Sequence, residues 1–176
     1  MSLWPFKYED MTTISEALAI AEDKIGDHYK LSDDQWRRHH YDVRTLSSLK
    51  RHQIVFDVFA LLHRCTTGHH DADFKTRSKD YYFICLQDHQ IMKAIKRDRD
   101  LGLLPLLVYV FTHELVHIVR FSNFSQRFEV SGKGKEKEEK IVHATTHDVL
   151  KDLPLPRLDY VLESYQSCRI CDLATS

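Results

Sequence analysis

The chain has 176 residues, of which 43% are hydrophobic and 29% charged, and its formal net charge at pH 7 is −1. This balance excludes an intrinsically disordered chain and disfavours a general affinity for nucleic acid or for acidic membranes. The length suits one domain with its own core, so we expect a single domain over residues 1–176 that binds neither nucleic acid nor membrane.

The cysteines and the N-terminal residues predict a cytoplasmic protein. Cys65, Cys85, Cys168 and Cys171 are too few and too scattered for a disulfide framework in a chain of this length, so we expect reduced thiols. The N-terminus has no unbroken apolar stretch of signal-peptide length. The longest nearly apolar run, residues 101–111, is shorter than the roughly 18 residues of a membrane span.

Two capping-box patterns predict helices near the N-terminus. Thr13 with Glu16, and Ser32 with Gln35, have the spacing at which a hydroxyl and a carboxyl or amide satisfy the free N–H groups of a first helical turn. We therefore expect a helix to begin at each place. Apolar residues follow each start at near-helical spacing: Leu18, Ala21, Ile25 and Tyr29 in the first helix, and Trp36, Val43 and Leu46 in the second.

The middle of the chain predicts a third helix, a long loop and a strand. The run QIVFDVFALLHRC, residues 53–65, is apolar nearly all round and predicts a buried helix, so that residues 1–65 form a helical N-terminal half. Residues 66–80 are polar and aperiodic, which predicts a loop of the kind that often borders a functional site. YYFICL, residues 81–86, is aromatic and β-branched and predicts a strand, although a helix continuing beyond it fits the pattern too.

The most apolar helix is predicted after Pro105, a residue suited to a first turn, and runs through LLVYVFTHELVHIVRF. Residues 123–140 turn polar and charged, which predicts a solvated segment that becomes helical near its end. A last helix is expected over about residues 157–167. Together these elements predict an α+β domain that is predominantly helical and has a minor β-sheet.

The motif HELVH within this helix indicates a metal site. His113 and His117 are four residues apart, so on a helix both imidazoles project from one face at the separation needed to hold one ion. Glu114 lies one step around the helix, where its carboxylate can accept a proton from a water on the metal. Burying these groups in an apolar helix without partners would cost several kcal/mol, and a metal is the simplest partner. A hydrogen-bonded cluster without metal is the competing interpretation.

HELVH resembles the motif of the zincin superfamily of zinc metallopeptidases. The metzincin branch would continue with Gly at position 120 and His at position 123, where this chain has Arg120 and Asn123. The gluzincin branch takes its third ligand from a Glu on a second helix, typically with an Asp four residues later. EEKIVHATTHDVL, residues 138–150, stands in the corresponding place. The resemblance therefore implies a small, gluzincin-like domain with a Zn²⁺ site carried by residues 81–150.

The third ligand has two candidates on this second helix. A helical projection places Glu139 and His143 on the apolar stripe and turns Glu138 away from it. The resemblance to gluzincins implies His113, His117 and Glu139 as zinc ligands, with His143 supporting them. In zincins with three histidines the roles are reversed, so that His143 binds zinc and Glu139 supports it.

Several further features of the sequence give weaker indications of a functional role. His147 follows at the edge of the stripe and could stabilise a substrate oxyanion, as could Arg157 or Tyr160, although a solvated histidine has the same pattern. The resemblance also implies that the strand at 81–86 is an edge strand that receives extended peptides, with a plain core strand as the alternative. The single C-x-x-C pair of Cys168 and Cys171 is interpreted as packed or reactive thiols and not as a zinc site.

These patterns predict a zinc-dependent metallopeptidase that acts on a peptide or protein substrate. Glu114 would deprotonate the attacking water and deliver the proton to the leaving amine. The alternative is a non-catalytic, zincin-like module whose metal is structural or which binds a partner through the loop at 66–80. A ferritin-like di-iron bundle is disfavoured because no Glu other than Glu114 is followed by a His three residues later.

Overall fold

The computed structural model describes residues 3–66, 80–123 and 132–175. Within these residues the chain forms six α-helices and four β-strands, which confirms the predicted α+β class with a helical majority. In chain order the elements are α1 (Asp10–Tyr29), α2 (Asp33–Trp36), β1 (Tyr41–Arg44), β2 (Ala60–Thr66), β3 (Asp80–Leu86), α3 (Asp88–Arg97), α4 (Leu103–Ser122), α5 (Lys133–Leu150), α6 (Leu158–Tyr165) and β4 (Cys171–Thr175).

The four strands form one mixed sheet in the order β1-β3-β2-β4. β3 pairs antiparallel with β2 and parallel with β1, while β4 pairs parallel with β2. The predicted strand at 81–86 is therefore confirmed. Of its two interpretations the plain core strand is confirmed and the edge strand is wrong, because both sides of the strand are hydrogen-bonded to neighbours. The edges of the described sheet are β1 and β4.

The predicted helix at 53–65 is wrong, because its second half is the strand β2. Leu61, Leu62 and His63 are all buried, so both faces of this strand are covered. A strand buried on both faces shows a continuous apolar run, which is also the pattern of a buried helix. Residues 1–65 are consequently not a purely helical half.

The helix starts near the N-terminus are partly as predicted. α1 begins at Asp10, so Thr13 lies inside the helix and not at its cap. The capping box of Ser32 and Gln35 is present, with Gln35 N–H donating to Ser32 Oγ at 3.2 Å. The helix that it starts is only one turn long, however, because the chain turns at Trp36 and enters β1, where Val43 pairs with β3.

The C-terminal half differs from prediction mainly in the length of α5. Pro105 lies in the first turn of α4, as predicted, and α6 falls within the predicted last helix. The charged segment at 123–140 was expected to be helical only near its end, yet α5 begins at Lys133. Its charges have partners on other elements, since Lys135 Nζ lies 2.9 Å from Asp172 Oδ1. Residues 67–79 of the predicted loop lie outside the described residues.

α4 is the centre of the molecule. Every residue from 105 to 119 is buried, and α1, α5, α6 and β2 pack around the helix. By length and composition alone α4 could cross a membrane, but 83% of its most apolar window is buried inside the protein. The helix that carries HELVH therefore has the surroundings of a core helix.

α1 packs along α4 through small side chains. Ala17 and Ala21 are completely buried between Ile14 and Ile25, which belong to the same core cluster. A small residue at these positions allows the two helix backbones to approach closely. The position of α4, and therefore of the motif that it carries, depends on this contact.

We predict that Ala21→Leu lowers the free energy of unfolding by about 1–3 kcal/mol, because the larger side chain overpacks the interface between α1 and α4. The matched control is Ala19→Leu, at an exposed position of the same helix, which should change stability by less than about 0.5 kcal/mol. Urea unfolding followed by circular dichroism measures both. Equal stability of the two variants would show that α1 does not pack tightly at Ala21.

Candidate metal centre

Side chains from three elements converge beside α4. His113 and His117 project from one face of α4, with ring centroids 5.0 Å apart, and both are fully buried. Glu139 reaches them from α5, and Cys171 reaches them from the first position of β4. One ligand atom of each residue lies within 4.8 Å of the others, so this buried group could bind a metal ion.

The separations between these ligand atoms fit a single small ion. Glu139 Oε1 lies 3.1 Å from His117 Nε2, and Glu139 Oε2 lies 3.4 Å from His113 Nε2. Cys171 Sγ lies 3.5 Å from His117 Nε2 and 4.0 Å from Glu139 Oε1. Tetrahedral zinc with nitrogen, oxygen and sulfur ligands would place such atoms about 3.3–3.6 Å apart. The distances that involve His117 and Glu139 are therefore close to those around one zinc ion, while the other separations in the group, which are at most 4.8 Å, would shorten when an ion is bound.

Several buried polar atoms of the cluster lack a hydrogen-bond partner. Among the described residues these include Nδ1 and Nε2 of His113 and both carboxyl oxygens of Glu114. An unpartnered polar group of this kind costs about 1–3 kcal/mol or more when it is buried. A cation coordinated by the histidines would supply the missing partner for Nε2 of His113, so the donor set fits a metal on structural grounds.

Burial and mutual contact set the protonation states that favour metal binding. Burial lowers the pKa of His113 to about 4, although the nearby Glu139 carboxylate opposes this, so the imidazole is neutral at pH 7. Burial alone would raise the pKa of Glu139, but the nearby imidazoles of His113 and His117, whose Nε2 atoms lie 3.4 and 3.1 Å from its carboxyl oxygens, hold it well below its usual range. A neutral imidazole and an ionised carboxylate are the forms that bind metal ions.

Glu114 lies on α4 beside the cluster and is completely buried. Burial raises the pKa of its carboxyl group well above the ordinary value, and the negative charge of Glu139 adds to the effect. The Cys171 thiol acts in the opposite direction. A carboxyl group whose pKa is raised by a water-excluding environment is a common feature of general acid–base sites.

Glu138 lies beside the cluster, and the prediction that it points away from the core is wrong. Its carboxylate is buried and accepts two hydrogen bonds from the Arg120 guanidinium, at 2.7 and 2.8 Å. The same carboxylate faces Nδ1 of His117 at 4.0 Å. Metal-binding histidines in proteins commonly have a carboxylate near the ring nitrogen that does not bind the metal. The sequence missed this role because the paired Arg120 lies on a different helix.

His143 is close to the cluster but is held by other groups. Tyr109 shares a hydrogen bond of 3.0 Å with Nδ1 of His143, and the His143 ring centroid lies 4.8 Å from that of His113. Of the two candidate third ligands, the structure brings Glu139, and not His143, into the group of converging ligand atoms. His143 is therefore a neighbour of the candidate metal centre.

An open cleft of about 940 Å³ reaches the cluster from the α5 side. Glu139, His143 and Cys171 line it, and so does His147, which is exposed one turn further along α5. Two other residues predicted as possible oxyanion stabilisers are engaged elsewhere: Tyr160 donates to Asp98 Oδ2 at 2.7 Å, and Arg157 donates to the carbonyl of Arg99 at 3.1 Å.

Cys171 is the member of the cluster that sequence reasoning missed. The C-x-x-C pair was interpreted as thiols without a metal role, yet only Cys168 is exposed, whereas Cys171 is buried against His117. The four cysteines, all within the described residues, form no disulfide. Burial raises the pKa of the Cys171 thiol, and the negative charges of Glu114 and Glu139 add to this effect.

Comparison of the chain with protein-family models, with curated proteins and with solved structures finds no match in any of the three. We therefore infer function from the geometry of the cluster.

We predict that Glu138→Gln lowers zinc affinity by about 10–100-fold, because the neutral amide no longer stabilises the His117 ring. Glu136→Gln is the matched control, since Glu136 is exposed on the same helix and should leave affinity unchanged. Competition against a chromogenic chelator measures both, with circular dichroism to verify folding. Wild-type affinity in a folded Glu138→Gln protein would contradict the supporting role of Glu138.

Proposed function

We propose that the chain is a zinc-dependent hydrolase of peptide bonds, similar in the arrangement of its site to the gluzincin branch of the zincins. The observation that carries the proposal is the buried, unpartnered carboxyl of Glu114 beside a group of converging ligand atoms. A purely structural metal site has no need of such a group, because an unpartnered buried carboxyl only costs stability.

His113, His117 and Glu139 are the residues that would hold the ion. Two imidazole nitrogens and a carboxylate form a donor set that suits zinc, whereas calcium and magnesium prefer oxygen ligands alone. One carboxylate among the three ligands leaves the site with a net positive charge. When bound, zinc supplies Lewis-acid activation of water for hydrolysis near neutral pH.

Glu114 is proposed as the general base and acid of the reaction. Its carboxylate accepts the proton from the attacking water and then delivers it to the leaving amine. The surrounding apolar helix excludes bulk water, which strengthens the interaction of this carboxylate with the reacting groups. A nearby cation would also offset the effect of burial on the pKa of Glu114 and favour its ionised form.

The cleft supports an enzyme because it gives a substrate access to the site. An extended peptide lying along α5 would contact Glu139 and His143, which both line the cleft. Because His143 already shares a hydrogen bond with Tyr109, we propose the exposed His147, which lines the same cleft, as the donor to the substrate carbonyl oxygen. We propose that the substrate is a peptide or a protein. We also propose that the protein acts in a reducing compartment, the cytoplasm.

A structural metal site is the second candidate function. The observation that favours it is Cys171, because four protein ligands around one zinc ion are characteristic of structural sites, whereas catalytic sites keep one position open. The buried Glu114 and the cleft favour the enzyme instead.

We predict that the purified protein binds about one zinc ion per chain, measured by elemental analysis, and that His117→Ala prevents this.

We also predict that Glu114→Gln retains zinc but lowers hydrolysis of a peptide library by roughly 10²–10⁴-fold, because only the proton transfer is removed. Glu16→Gln, at an exposed position of α1 outside the cleft, is the control and should behave as wild type.

Three outcomes would contradict parts of this proposal. Failure to take up metal from a zinc-buffered solution would remove the site altogether. A Glu114→Gln protein as active as wild type would refute the role of Glu114. Stoichiometric zinc with no cleavage of the library, by wild type or by a Cys171→Ala variant, would favour the structural module.

A further inference from the structure

We propose that Cys171 is the fourth protein ligand of the metal, and that strand β4 thereby holds the site closed in the resting protein. This inference rests on the proposed metal binding by His113, His117 and Glu139, and adds a means of regulation to the same site. The chemistry of a thiolate, the position of β4 and the contrast with Cys168 each support it.

Cys171 is placed as a ligand and not as an ordinary core residue. Its sulfur lies 3.5 Å from His117 Nε2 and 4.0 Å from Glu139 Oε1, which are the atoms that would themselves face the ion. The side chain is buried, so solvent does not compete for the sulfur. A thiolate is a strong zinc ligand, and two imidazoles, one carboxylate and one thiolate complete a tetrahedral set. With four protein ligands, no coordination position on the metal would remain open for a substrate.

The thiolate would also reduce the electrophilic character of the site. With one carboxylate among three ligands, the zinc site has a net charge of about +1, and a thiolate ligand cancels this charge. A neutral, four-ligand site is a poor Lewis acid. Removal of the sulfur would restore both the charge and the open position, beside a cleft that Cys171 itself lines.

The element that carries Cys171 is much shorter than the helices that carry the other ligands. α4 is a 20-residue core helix and α5 is an 18-residue helix that packs against it, whereas β4 is five residues long and pairs with β2 at an edge of the described sheet. β4 follows Ile170, which is fully buried and whose carbonyl accepts a hydrogen bond from Phe59 N–H at 2.8 Å. This contact keeps the closed arrangement as the resting one.

Beyond Ile170, the ion pairs that tie β4 to its surroundings are partly exposed. Asp172 pairs with Lys135 at 2.9 Å and with Arg169 at 2.8 Å, and Arg169 also pairs with Asp57 at 2.9 Å. Exposed pairs of this kind contribute little to stability. Apart from its pairing with β2, β4 is therefore held mainly by exposed contacts, and edge strands open locally at a lower cost than core helices do. In the proposed opening, β4 leaves while His113, His117 and Glu139 stay in place.

Cys168 provides the internal contrast. It lies three residues before Cys171 and lines the same cleft, but its side chain is exposed and its thiol contacts the carbonyl of Ser164 at 3.5 Å. Cys168 is not among the converging ligand atoms. A substitution of Cys168 thus changes a thiol of the same C-x-x-C pair without touching the proposed metal centre.

The test uses the full chain loaded with Co²⁺ in place of zinc, because a thiolate bound to cobalt gives a charge-transfer absorption in the near ultraviolet. We expect wild type and Cys168→Ala to show this band, and Cys171→Ala and Cys171→Ser to bind cobalt without it. The serine variant preserves the size of the side chain, and circular dichroism verifies that each variant is folded.

Acetohydroxamate, a small metal-binding anion, then reports whether a coordination position is open. We expect the Cys171 variants to bind it at least about 10-fold more tightly than wild type, since in wild type the thiolate must first be displaced. Cys168→Ala should match wild type.

The outcomes separate this inference from the proposed function. Absence of cobalt binding in every protein would refute the metal site, and the inference with it. Stoichiometric cobalt in wild type without a thiolate band, or a band that survives in Cys171→Ala, would overturn the inference alone. Equal acetohydroxamate affinity in wild type and the Cys171 variants would show that Cys171 does not close the site.

Discussion

The arrangement of the molecule depends on the burial of three ionisable side chains in its most apolar helix. α4 carries His113, Glu114 and His117 at positions from which water is excluded. Burying such groups without partners is costly. The packing of α5 and the course of β4 bring partners to the imidazoles, since Glu139 and Cys171 reach them from different directions, whereas both Glu114 oxygens lack a hydrogen-bond partner among the described residues.

The contact between α4 and α5 is itself electrostatic near the site. Arg120 and Glu138 form a two-point ion pair, one turn away from His117, which fixes the rotation of α5 relative to α4. That rotation directs the next residue, Glu139, towards the histidines. Tyr109 adds a second connection by joining His143 on α5 to the carbonyl of Tyr165 at the end of α6. Two polar contacts outside the cluster thus position side chains within it.

The sequence predicted those parts of the site that are encoded locally. HELVH lies on one continuous helix, so its spacing alone placed His113 and His117 on a common face, and the apolar stripe of α5 brought Glu139 to the same side. The contribution of Cys171 could not be predicted, because it depends on the parallel pairing of β4 with β2. β2 was itself misassigned as a helix, since a strand covered on both faces has no alternating pattern. Long-range strand pairing leaves little local signal in the chain.

The distance along the chain between the ligands has a consequence for the order of assembly. Cys171 follows His117 by 54 residues, and it is the last of the four ligand residues to be synthesised. Helices such as α4 and α5 are stabilised by local contacts, which generally form sooner than contacts between distant parts of a chain, and the addition of β4 to the sheet needs contacts of the second kind. A metal ion can therefore enter while one side of its site is still open. The strand that then seals the site would slow both the loss of that ion and its exchange for another.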